Sequence, residues 1–263
     1  MKYATAITIA VCLVGCGENN PRGGVITGNG LVAFEMKLAS AVVPPETVDQ
    51  QGTAFAFGAA RANVERVKLE LVDGTYCADL DVFLESPVAC ADETDSGELI
   101  VQGPFVIDLF TGVSTPSLAE VTLPAADYQH AEVRFEPARV QDGILADTDP
   151  MIGMGLEASG SFDYQAASTN FGFALPLSGE VSFQTLQQVS VGEDRTVNLS
   201  LQLNTDSWFG ELSITDCLDS GDLTLSGGEL ILQNGTGACE NILEGLEDAI
   251  LESGSLEEAD EEP

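Results

Sequence analysis

Positive charge is what this chain of 263 residues most lacks: 9 Lys and Arg stand against 43 Asp and Glu and a single His, for a formal net charge of −34. A surface this negative repels phosphate backbones and anionic headgroups, which excludes nucleic-acid binding and basic docking onto a bilayer. Imidazole is almost as scarce, so nucleophilic hydrolysis through a Ser–His or Cys–His pair has only His130 to draw on. No Gly-x-Ser-x-Gly elbow, Walker loop or Gly-x-Gly-x-x-Gly opening a helix occurs. Cys-x-x-Cys is missing too, and His130 is remote in sequence from every Cys, which argues against zinc. The apolar run Ala4 to Gly15 falls short of the roughly 20 residues a spanning helix needs. No fixed-period repeat is visible, which argues against a propeller or a solenoid.

Apolar residues make up 44% of the chain, enough to build a core, and 27 Gly with 11 Pro fall short of a low-complexity composition. Met1-Lys2 and the apolar run behind them have the order of a secretory signal, residues 1–15. Leu13-Val14-Gly15-Cys16 matches the bacterial lipobox, in which a small residue precedes a Cys that is thioether-linked to diacylglycerol before cleavage. Cys12 does not compete, because bulky Val11 precedes it. Each buried methylene of an acyl chain contributes about 0.8 kcal/mol, so an acylated Cys16 holds even an acidic protein on a membrane. Residues 16–30, rich in Gly and Asn, read as a lipidated flexible tether. The expected location is therefore the bacterial cell envelope, with the outer membrane favoured because Gly17 stands where inner-membrane retention calls for Asp.

Four cysteines remain for an oxidising compartment, and four allow three connectivities. The local pairing Cys77 with Cys90 and Cys217 with Cys239 is favoured, because each bond closes a short loop around Gly- or Pro-bearing turn sequence. On the chain-entropy picture such a loop restricts the unfolded chain by about 3 kcal/mol.

Period-two alternation dominates the body. Val67, Leu69 and Leu71 alternate with Arg66, Lys68 and Glu70, and Val197 to Leu203 alternate with Thr196 to Asn204. Similar patterns occur at Phe34-Met36-Leu38, Val101 through Leu109, Ile152-Met154-Leu156, Phe162-Tyr164 and Val181-Phe183. Many short strands between Gly, Pro, Asn and Asp clusters predict an all-β protein, an antiparallel sandwich over residues 31–210. A disulfide-stapled extension over 211–253 follows, carrying one helix at 240–253 in which Ile242, Leu243, Leu246, Ile250 and Leu251 share a face. Residues 254–263 read as a solvated, disordered acidic tail.

Phe105-Val106-Ile107-Asp108-Leu109-Phe110-Thr111-Gly112, followed by Leu123-Pro124-Ala125-Ala126-Asp127-Tyr128, resembles an uncharacterised family of bacterial and archaeal lipoprotein domains. In that family a "φDLφxG" strand precedes "LPAGxYxQIRL". The resemblance covers residues 31–205. Ala126 replaces the usual Gly, His130 the Gln, Ala131 the Ile and Glu132 the Arg. What it implies is an immunoglobulin-like or transthyretin-like sandwich on a lipid anchor, with no catalytic residue to carry over.

Strict alternation puts His130 on one strand face with Tyr128, Glu132 and Arg134, as a solvated or cross-strand-bonded imidazole rather than a base. Two acidic turns are candidate calcium sites: Asp92, Asp95 and Glu98, and Asp142, Asp147 and Asp149, hard oxygen ligands of the kind a weak extracellular Ca²⁺ site uses. Otherwise no cofactor is expected. For Trp208 a core or strand-end position is favoured over a sugar-stacking platform. The function expected from these residues is a non-catalytic, lipid-anchored binding or envelope-structural module, with a membrane reached through the anchor and a protein or glycan as ligand. The alternatives are a calcium-dependent adhesin and an envelope hydrolase working through carboxylates, whose candidate pairs are too numerous among 43 acids to single out.

Overall fold

The fold comes from a computed structural model, which describes residue 26, residues 28–80 and residues 82–258. The signal segment and Cys16 lie outside the described residues. In chain order the strands are β1 (Asn29–Ala39), β2 (Glu46–Val48), β3 (Ala54–Leu71), β4 (Val88–Asp92), β5 (Gly97–Asp108), β6 (Ser114–Thr115) and β7 (Val121–Pro124). Then come β8 (Asp127–Phe135), β9 (Leu156–Tyr164), β10 (Ala167–Leu175), β11 (Gly179–Ser190), β12 (Thr196–Asn204), helix α1 (Ile214–Ser220), β13 (Glu229–Ile231), helix α2 (Ile242–Leu251) and β14 (Gly254–Glu258).

Two sheets pack into a sandwich. The first has the order β14-β12-β1-β7 and the second β11-β8-β3-β9-β10-β13, with β2 and β5 on the other flank of β3 and β4 and β6 on β5. Strand β3 organises the second sheet because it is 18 residues long. Its first half pairs with β9 and its second half with β8 along one flank, while β5 runs along the other. Alternation supplies the core: Val32, Phe34, Met36 and Leu38 of β1 and Leu199, Leu201 and Leu203 of β12 point inward and are buried. Pairings are antiparallel except β1 with β12 and β10 with β13, which are parallel. The first of these closes the sandwich on itself, since nearly the whole second sheet lies between its two strands in sequence.

Several boundaries move from their expected places. Residues 29 and 30, expected in the tether, belong to β1, because Asn29 and Gly30 pair with Pro124 and Leu123, while residues 16–25 lie outside the described residues. Gly30 is there for close approach, since a Cβ on it would run into the Gly192 carbonyl. Residues 254–258 are no solvated tail: they form β14, antiparallel to β12, with Leu256 packed against the core. Because β13 joins the second sheet and β14 the first, residues 211–258 belong to the sandwich itself.

Local chemistry explains the remaining shifts. The expected helix is α2, trimmed at both ends, and α1 was not expected: it is only seven residues long and too short to show a period. Ile152 and Met154 precede β9 instead of starting it, because Pro150 and Gly153, at φ +87°, make turns there. Tyr128 leaves the face of His130, since the ladder pairs Glu70 with His130 but Leu71 with Tyr128, making Gln129 an extra residue. Tyr128 turns inward, and its hydroxyl donates to the Pro124 carbonyl at 2.8 Å. Burial pushes that phenol well above its ordinary pKa.

Candidate functional site: a bare groove on the second sheet

Large residues line the inner face of β3, β9 and β10. Phe55 stacks on Phe162 with centroids 4.5 Å apart, and Phe57 meets Trp208 edge-on at 5.4 Å. Phe171, Phe173 and Phe209 complete a network of edge-to-face contacts, each pair worth about 0.5–1.5 kcal/mol beyond its burial. This packing makes a rigid base.

The outer face of the same strands is nearly empty of side chain. Ala59, Ser159, Gly172 and Ala174 occupy outward positions, and a bulge beside Phe57 turns Gly58 outward as well. These residues floor a groove of about 660 Å³, a volume within the range of small-molecule sites. The ladder fixes its walls. Asp108 pairs with Arg61 at the β5 flank, and Phe110 follows it, while at the far edge Ile231 pairs with Gly172 and Glu229 with Asn170. Ile231 remains 46% exposed.

Neither floor glycine is required by the backbone. A Cβ on Gly172 would find nothing nearer than the Ala158 carbonyl at 3.6 Å, and one on Gly58 nothing nearer than the Ser159 carbonyl at 3.8 Å. A glycine inside a strand costs roughly 0.5–1 kcal/mol against alanine, so what these two supply is clearance above the floor.

Charge at the groove is unevenly satisfied. The Arg61 guanidinium donates to Glu157 at 2.7 Å through Nε and to Asp149 at 3.0 Å through Nη2. The hydrogen bond from Arg61, with a second from the Met151 amide, holds the Asp149 carboxyl below its ordinary pKa. Asp108 accepts from the Phe110 and Thr111 amides at 2.9 and 3.0 Å and shapes the turn. Among the described residues the Glu229 carboxylate has no hydrogen-bond or ion-pair partner, and its Oε1 lies 4.0 Å from the point a Gly172 Cβ would occupy.

The other half of the same outer face is quite different. Lys68 lies 3.5 Å from Glu98, 3.3 Å from Glu132 and 3.9 Å from Glu180, and Arg66 and Arg134 join Glu180 at 2.8 and 3.6 Å. Burial alone would lower the Lys68 pKa, but the three carboxylates raise it. His130 belongs to this network, 3.4 Å from Glu132, and takes no part in the groove.

The other expected sites resolve as follows. Cys77 bonds Cys90, and Cys217 in α1 bonds Cys239, at Cα separations of 5.7 and 6.1 Å. The calcium candidates do not converge: among the described residues no three His, Cys, Asp or Glu side chains gather to hold a metal ion. Their carboxylates have other partners. Asp92 accepts from the Cys77 amide at 2.7 Å, Glu98 faces Lys68, Asp142 accepts from the Arg139 amide at 3.0 Å, and Asp149 binds Arg61. Asp95 and Asp147 stand exposed in their turns. Trp208 takes the favoured core position, fully buried among the aromatic rings, and its indole Nε1 has no partner among the described residues.

A smaller cleft of about 410 Å³ lies over Ala33, Asn198 and Ser200 of the first sheet, beside the turn at Thr111–Ser114. Of the groove residues the sequence marks Asp108 and Phe110, within the family-like run, but not as a site, although Phe171-Gly172-Phe173-Ala174 carries a signal: large residues alternate with minimal ones where a solvated face calls for polar side chains. Comparison with protein-family models, curated proteins and solved structures finds no match to the chain.

Proposed function

We propose that this protein is a lipid-anchored binding module of the bacterial envelope that holds a ligand in the groove over β3, β9 and β10 without transforming it. The observation that carries the reading is the contrast within one outer face. Half of it is filled by a charge network, and half is stripped to Gly, Ala and Ser above a rigid aromatic base. A rigid floor of small residues favours binding, because little ordering accompanies capture of the ligand. Two disulfides fit an oxidising compartment. Among the described residues no helix is long and apolar enough to cross a membrane, and in this reading the acyl chains on Cys16 do the anchoring.

The anchor and the groove are tested separately. Intact mass of membrane-extracted protein is expected to give a diacylglyceryl Cys16 at the N-terminus, and a Cys16→Ala variant is expected to leave the membrane fraction. For the groove, cells carrying only Gly172→Phe are expected to match the competitive fitness of cells lacking the protein, at normal abundance and anchoring. Full complementation by Gly172→Phe would remove the groove from the function.

A further inference from the structure

Taking the groove as the binding site, we infer that its ligand is a small amphipathic cation: an aliphatic or aromatic body bearing an ammonium group. The body is called for by the floor of Gly58, Ala59, Gly172 and Ala174 between Phe110 and Ile231, which offers dispersion contact and few hydrogen bonds. The sign of the charge follows from the rim. Among the described residues Arg61 is the one cation that lines it, and it is already paired with Asp149 and Glu157, so an anionic ligand meets no unpaired opposite charge. Glu229 stands beside the floor with no partner among the described residues, and Asp108 adds a second carboxylate at the opposite wall. At a net charge of −34 the field of the whole molecule draws cations toward the mouth and turns anions away. A neutral sugar or peptide would find few polar groups on the floor.

Three probes of equal chain length separate body from charge: n-octylammonium, 1-octanol and octanoate. They are titrated at pH 7 into the whole mature chain carrying Cys16→Ser, so that no detergent competes, with calorimetry and amide shifts as readouts. Octylammonium is expected to bind saturably, about tenfold tighter than octanol, with the largest shifts at Ser159, Gly172 and Ala174, while octanoate does not saturate. Glu229→Gln is expected to weaken octylammonium about threefold, the order of an exposed ion pair, and to flatten its salt dependence. Gly172→Phe, which fills the groove where the backbone has room, is expected to abolish binding with the melting temperature kept. Ala59→Leu serves as a second plug if that variant folds poorly.

Failure of octylammonium to saturate, or binding that both plugs leave unchanged, overturns the inference. Equal binding of octanol and octylammonium, both lost in the plugged variants, overturns the cationic class while the groove stands. The fitness of Gly172→Phe cells decides the groove itself independently of any probe.

Discussion

Two glycines twelve residues apart show how position sets the meaning of a residue. A Cβ on Gly160 would strike the carbonyl of Ala56 and crowd the Phe171 ring, so Gly160→Ala must push β9 away from β3. Such overpacking costs about 1–3 kcal/mol, and urea unfolding is expected to show that loss. Gly172→Val, on the neighbouring strand, is expected to be neutral or stabilising, since the space is open and Val suits a strand. Equal losses in both variants would contradict the described register of β9. In the sequence these glycines are indistinguishable, because what separates them is a backbone more than a hundred residues upstream. Tyr128 is similar: alternation assigned it to the face of His130, and only the bulge at Gln129, set by pairing with β3, turned it inward.

At the scale of elements, alternation was legible wherever one face of a strand meets the core. The bounds of β12 coincide with the alternating stretch Thr196 to Asn204, β1 and β11 contain theirs, and β5 stops one residue short of the expected Leu109. Strand β14 was not legible, since a single Leu is followed at once by Glu257 and Glu258, which read as solvated. Its order comes from the open edge of β12 and from the space Leu256 fills. Leu256→Ser is therefore expected to lower stability by on the order of 1 kcal/mol, below the value of a fully buried Leu because Leu256 is partly exposed, measured by denaturant unfolding. A solvated tail would show no change. Disulfide pairing was legible for a different reason, since short loops close at the smallest entropic cost.

For the whole molecule, stability at neutral pH works against the charge of −34. Raising monovalent salt from about 0.01 to 0.15 M shortens the Debye length from about 30 to 8 Å and is expected to raise the melting temperature. The pH response has two arms. Hydrogen bonds from Arg61, Arg134 and Arg66 hold Asp149, Glu136 and Glu180 below the ordinary carboxyl range. A lowered carboxyl pKa contributes stability above its unfolded value and loses it as pH falls through the folded one, so these groups weaken the fold in acid. Glu247 on α2 acts oppositely: burial, then Asp248 and Glu244, raise its pKa, so the fold gains as it protonates. General repulsion also fades as pH falls. Melting temperature is therefore expected to peak near about pH 5 and fall on both sides. Trp208, the single Trp and fully buried, reports the transition by fluorescence, and a maximum above pH 7 would refute this balance.

The fold class and the two disulfides were decided by the sequence alone, because strand alternation, short Cys spacing and turn residues are local properties that survive in any arrangement of the chain. The expectation of a lipid anchor at Cys16 is local in the same way. The groove was decided only by the tertiary structure. Gly58, Ser159, Gly172 and Ile231 become neighbours through the order β3-β9-β10-β13, in which a strand of only three residues follows a helix and crosses back to the sheet. The acidic turns were likewise resolved there, since whether a carboxylate meets an Arg, a backbone amide or open water depends on which strand lies opposite.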